Sequence, residues 1–186
     1  MGLIELLIIA VGLSMDAFAV SICKGLSVRT IRPQYMLKTA VWFGGFQALM
    51  PVLGDVAGFY FSDLVSSVDH WIAFVLLSLI GANMIKESFD KDVCGMDADF
   101  SVKTMLAMAV ATSIDALAVG VSFAFLKVNI WEAVLMIGVT TALFSAVGVV
   151  IGNFFGARWK SKAEFAGGFI LIAMGLKILL EHTLGA

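Results

Sequence analysis

The sequence predicts an all-α polytopic membrane protein with six transmembrane helices, arranged as two inverted three-helix repeats in one domain spanning residues 1–186. Three observations carry that expectation. Of 186 residues, 61% are hydrophobic and 14% charged, with a mean hydropathy of +1.02, which leaves too little polar surface for a soluble domain. Six stretches approach the ~20 apolar residues that cross a bilayer. One motif also occurs twice, as GLSMDAFAVSI (Gly12 to Ile22) and ATSIDALAVGV (Ala111 to Val121), so that Ser14 aligns with Ser113 and Asp16 with Asp115 at a separation of 99.

The spans are predicted at Leu3 to Cys23, Met36 to Phe61, His70 to Lys86, Val102 to Leu126, Trp131 to Phe155 and Glu164 to Glu181. The first resembles a signal peptide in position only. It lacks a basic n-region and carries Asp16 inside the recurring motif, so it reads as a retained span. Pro51 is expected to kink the second span and free a carbonyl. Repeat one covers about residues 1–89 and repeat two about 102–186. Between them, about 90–101 (with Asp97 and Asp99) reads as a hydrated loop. Because the motif returns in span four, each repeat holds three helices, and an odd number turns the copies over relative to one another. A second register, at a separation of 94, aligns Gly54, Gly58 and Gly81 with Gly148, Gly152 and Gly175. The four-residue spacing of Gly54 and Gly58, and of Gly148, Gly152 and Gly156, is that of closely approaching helix backbones.

Charge placement sets the orientation. The first loop holds Lys24, Arg29, Arg32 and Lys38, the third Lys86, Lys91 and Lys103, and the fifth Arg158, Lys160 and Lys162, ten of the twelve basic residues. Those loops are therefore expected in the cytoplasm and both termini outside. The net charge of −2 gives no basis for nucleic-acid binding.

An aspartate at the centre of a span costs about 2.5 to 3.5 kcal/mol on insertion scales, and such residues mark functional sites by default. Here the cost is borne twice, at equivalent positions. Asp16 and Asp115 are the main candidate ligands for a cation, because two carboxylates in a low-dielectric pocket repel unless a positive charge lies between them. Gln47, Asn83, Thr112, Thr140 and Thr141 are further oxygen donors at membrane depth. An all-oxygen set suits hard ions such as Mg²⁺, Ca²⁺ and Mn²⁺. Ser14 and Ser113 lie about 200° around a regular helix from their aspartates and join the site only if the helix is distorted. Asp55 reads as a vestibule residue, and Lys177 as a snorkelling lysine or a resident counter-charge. No permanent cofactor is expected.

The paired motifs GLSMDAFAVSICKG and ATSIDALAVG, with FGGFQALMPVLG on the second span, resemble the MntP-type manganese exporters of bacteria, within the lysine-exporter superfamily. The resemblance covers essentially the whole chain. It implies a transporter and not an enzyme: Mn²⁺ efflux across the cell inner membrane, with Asp16 and Asp115 as the motif acids. Some members of the family carry glutamate at the place of Gln47 and arginine at that of Asn83. Alternating access with protons as counter-ion is the expected mechanism, since the sequence has no P-loop. Export of another divalent cation or an amino acid is the nearest alternative. A thiol-redox protein of the CcdA type would need a symmetric pair, which Cys23 and Cys94 do not make. An intramembrane aspartyl protease would need a Gly-x-Gly-Asp signature that neither motif acid has.

Overall fold

A computed structural model describes residues 2–65, 69–89, 99–155 and 158–184. Cys94, Asp97 and Gly156 lie outside the described residues. The described chain is helical throughout: α1 (Leu3–Ser27), α2 (Pro33–Val65), α3 (Asp69–Ser88), α4 (Val102–Ala111), α5 (Ile114–Phe125), α6 (Ile130–Phe155) and α7 (Arg158–Leu184). Helices α1, α2, α6 and α7 contain segments long and apolar enough to cross a bilayer, and α4 with α5, bent by 43°, makes a fifth. The apolar part of α3, Ala73–Lys86, is shorter.

Two expectations are corrected by this arrangement. The fourth span is two helices, not one: the helix stops at Ala111 and restarts at Ile114. Thr112 N–H donates to the Met108 carbonyl at 2.9 Å, Ser113 N–H to Val110 at 3.1 Å, and Leu117 N–H to Ser113 at 3.2 Å, so the chain tightens by one residue at the break. Lys24 is not in a loop, because α1 runs on to Ser27 and the lysine is 1% exposed. Its ammonium donates to the Asp99 carbonyl at 2.7 Å and lies 5.3 Å from the centre of the Phe100 ring. Phe100 in turn stacks on Tyr35. Pro51 sits inside a helix that continues through it.

Helix ends are built from local chemistry. Before α4, the Ser101 hydroxyl caps the Thr104 N–H, while the Asp99 carboxylate accepts from Ser101 N–H, the Ser101 hydroxyl and the Thr104 hydroxyl. These bonds, the Thr104 hydroxyl foremost, hold the Asp99 carboxyl below its ordinary range. Between α5 and α6 the turn is closed by Val128 N–H on the Phe123 carbonyl at 3.1 Å, with Lys127 in the left-handed region at φ 51°. Asn129 then opens α6 by accepting from Trp131 N–H and donating to Glu132.

Packing exchanges helices between the two halves of the sequence. Helix α1 packs on α6 and α7, α5 packs on α2 and α3, and α2 pairs with α6 as α3 pairs with α7. The contacts repeat at the sequence separations of 99 and 94. A Cβ on Gly148 would meet the Phe18 carbonyl at 2.9 Å, and one on Gly54 would fall on the carbonyl of Leu117, 99 positions after Phe18. Gly152 abuts the Ile22 carbonyl, and Gly58 that of Val121. Gly81 lies on the Gly168 carbonyl, while Gly175 faces that of Phe74 at 3.4 Å. At Gly54, Gly81 and Gly152 backbone meets backbone so closely that only a residue without a side chain fits. Where α1 begins, the interior is filled by Leu6, Ile9, Leu13, Leu77, Phe123, Ile137 and Leu171. At the other end Ala17, Phe43, Phe100, Met105 and Ala109 form a second apolar cluster.

A carboxylate-lined cavity between two helix groups

A cavity of about 580 Å³ is lined by the α3–α7 pair on one side and by α1 and the broken α4–α5 helices on the other. Asp16 and Val20 reach it from α1, Ala111 and Thr112 from the end of α4, and Asp115 and Ala118 from α5. Asn83 and Met84 face them from α3, with Glu164 from α7. The two motif aspartates thus share one space, each half-buried.

Their backbones differ. Asp16 sits in the middle of continuous α1, whereas Asp115 lies in the first turn of α5, where one of its oxygens accepts from the Ala116 N–H at 2.8 Å. A helix N-terminus directs unsatisfied N–H groups and the positive end of its dipole at that carboxylate. The break therefore gives Asp115 an anion-stabilising seat that Asp16 does not have.

Of the other expected donors, Asn83 and Thr112 line the cavity, and the Thr112 hydroxyl donates to the Met108 carbonyl at 3.0 Å. Gln47, Thr140 and Thr141 do not line it. Gln47 and Thr141 are fully buried on the opposite side of α1, where Gln47 Nε2 donates to the Leu13 carbonyl at 3.2 Å and Thr141 shares a 2.9 Å hydrogen bond with Ser14. Thr140 is half-buried on α6. The angular argument for Ser14 explains this: a residue about 200° from Asp16 must face the α2–α6 side when Asp16 faces α3 and α7.

Sequence reasoning missed Glu164. It is 5% exposed, and its carboxylate lies 3.6 Å from the Lys160 ammonium, one helical turn away. Symmetry could not find it, because the separation of 94 pairs it with His70 and not with an acid. A buried carboxylate six residues inside a helix is itself a signal. Lys177 joins Glu5 in an ion pair near the start of α1 and is 45% exposed, so it is no counter-charge within the cavity. Asp55 is half-buried on α2 and away from the cavity. Cys23 is buried near the end of α1, also apart from it.

Among the described residues, no three His, Cys, Asp or Glu side chains converge closely enough to form a ready-made metal shell. The carboxylates surround a space wide enough for a hydrated ion without closing on it. A roomy pocket of oxygen donors fits weak, reversible capture better than permanent metal storage.

Fold and site together define a polytopic helical membrane protein with acidic groups gathered inside the bundle. A family model described as "Putative manganese efflux pump" matches residues 29–179. Relatives of the same description, named MntP, are 62% identical in Acetivibrio thermocellus (covering 98% of this chain and 92% of the relative), 61% in Desulfitobacterium hafniense (98% and 96%) and 57% in Bifidobacterium adolescentis (97% and 97%). The chain belongs to the MntP family, whose members are transporters and not enzymes. No solved structure matches it.

Proposed function

We propose that this protein exports Mn²⁺ from the cytoplasm by alternating access, with the ion held between Asp16, Asp115 and Glu164 and with Asn83 and Thr112 as neutral donors. The observation that carries the reading is the convergence of both motif aspartates on one cavity, in a chain whose relatives are named for manganese efflux. Two carboxylates balance the charge of a divalent ion, and water completes its shell.

Six spans in two inverted repeats, with α3 as the third, account for the exchange of contacts at separations of 99 and 94. The Lys- and Arg-rich ends support an orientation with the C-terminal end of α1 and the start of α7 in the cytoplasm, both termini outside, and the protein in the inner membrane. Val20 lies beyond Asp16 toward that end, Asn83 is near the end of α3, and Glu164 near the start of α7. The cavity is then on the cytoplasmic side, and the apolar cluster of Leu6, Leu77, Phe123 and Leu171 seals the outer side. This is an inward-facing form. The α3–α7 pair is the natural moving body, because the cavity opens along part of its contact with α1 and α5.

Outward movement of two positive charges costs about 4.6 kcal/mol per 100 mV of inside-negative potential. Protons that replace the ion on the same carboxylates offset that cost. Uptake into inside-out vesicles tests the reading, with Mn²⁺, Mg²⁺, Ca²⁺, Fe²⁺, Zn²⁺ and lysine supplied separately and internal pH followed. Mn²⁺ uptake coupled to proton release from the vesicles is expected. Lysine uptake without Mn²⁺ uptake would replace the substrate, and Mn²⁺ flux without proton movement would make the protein a uniporter.

A further inference from the structure

The break in the fourth span has an unused counterpart in the first. Ala111, Thr112 and Ser113 at the break correspond to Gly12, Leu13 and Ser14 in the middle of unbroken α1. Ser113 donates its hydroxyl to the Ala109 carbonyl at 2.7 Å, and Ser14 makes the same bond to the Ala10 carbonyl at 2.6 Å. A serine bonded back to the fourth carbonyl before it competes with the helical ladder and bends helices. Both sites carry that device, yet only one is bent. Gly12 makes α1 the weaker helix at this point, since glycine in a helix interior is less favourable than alanine by about 0.8–1.0 kcal/mol. The Leu13 carbonyl, the one that a break at Ser14 would release, already accepts a hydrogen bond from Gln47 Nε2 across the interface. A replacement donor is therefore in place before the helix opens.

We infer that the break is exchanged between the repeats: in the outward-facing form α1 breaks at Leu13–Ser14, while α4 and α5 join into one straight helix. The inference rests on the inverted-repeat, alternating-access reading given above. Exchanging the two repeat conformations turns an inward-facing inverted repeat into an outward-facing one. The swap also moves the helix N-terminus from Asp115 to Asp16. Ser14 and Gln47 act as positioning residues, since both lie behind α1 and away from the cavity.

Amide hydrogen exchange of the full chain in proteoliposomes tests this, with and without saturating Mn²⁺ and at two external pH values. In parallel, a cysteine at Ala118, located by peptide mass, reports through a membrane-impermeant maleimide which side the cavity faces. When labelling moves to the outer side, exchange should slow about tenfold at residues 113–116 and quicken by about as much at 14–17. Ser14→Ala should lower the rate of Mn²⁺ turnover several-fold without changing its half-saturating concentration, and should slow the movement of labelling to the outer side in proportion. If labelling changes sides while residues 113–116 stay fast and 14–17 slow, the exchanged break is wrong and alternating access survives. If Mn²⁺ crosses while labelling never changes sides, alternating access fails and takes the exchanged break with it.

Discussion

Residues 12–22 and 111–121 carry one motif on two different backbones. The first is unbroken helix, and the second is bent by 43° just before its aspartate. The bending serine bond is present in both and the glycine is in the straight copy, but only the bent copy has a second hydroxyl, that of Thr112, bonded back to the Met108 carbonyl where Leu13 has none. Packing adds to it. Gly120 of α5 rests against the Pro51 carbonyl and Gly54 of α2 against Leu117, fixing α5 on α2. Met105 and Ala109 of α4 are held by the cluster around Phe43 and Phe100. Two firm anchors with different directions put the strain where the helix is weakest. The comparison shows that a repeated motif can specify a site twice and a backbone only once per state.

The largest expected effect tests whether the two copies are equal partners. Asp16→Asn and Asp115→Asn should each abolish Mn²⁺ export at normal abundance, since leaving a buried charge without its partner costs about 3–5 kcal/mol. Flux in inside-out vesicles, beside an immunoblot, measures it. Wild-type flux from either variant would remove that aspartate from the site.

The acid without a repeat mate should matter less. Glu164→Gln is expected to raise the half-saturating Mn²⁺ concentration about tenfold, a change of about 1.4 kcal/mol, with maximal flux retained. An unchanged value would make Glu164 a partner of Lys160 alone.

The equivalence of the packing can be broken one glycine at a time. Gly54→Ala and Gly148→Ala each force a methyl group onto a neighbouring carbonyl, and each should destabilise the protein by about 1–3 kcal/mol. Thermal unfolding in detergent should give the larger loss for Gly54→Ala, whose methyl would fall on the Leu117 carbonyl, while that on Gly148 would lie 2.9 Å from the Phe18 carbonyl. Equal losses would show that both interfaces relax to the same extent.

The smallest effects lie at the helix ends, which the repeats do not share. The Asp99 carboxyl is held below its ordinary range, so its contribution is present above the pKa of the unfolded chain and falls away as pH drops through the lowered folded value. The melting temperature should show a shallow acid limb that Asp99→Asn removes. At the turn between α5 and α6, Lys127→Gly should stabilise by about 1 kcal/mol, because a non-glycine residue there adopts a left-handed conformation.

Much of the site could be read from the chain because membrane insertion penalises every buried charge. Asp16 and Asp115 stand out for that reason, and the angular offset of Ser14 foretold that it would face away from the cavity. Gln47 and Thr141 share the depth of the aspartates and occupy equivalent positions in the repeats, but depth says nothing about which side of α1 a neighbour approaches. Glu164 was hidden by its position near a helix end and by its asymmetry. Lys24 was hidden because the first span was ended at Cys23, four residues before the helix stops at Ser27. The break at Thr112–Ser113 was legible only in part: two adjacent hydroxyl residues that bond back to helical carbonyls favour a bend, while the contacts with α2 on either side lie outside the local sequence.

Lys24 also bears on how the protein is made. The lysine sits in the last turn of α1 and donates to a carbonyl 75 residues later, at Asp99. That bond cannot form until the chain has been made as far as the start of α4, so the end of α1 is fastened to the second half of the protein only late in its synthesis.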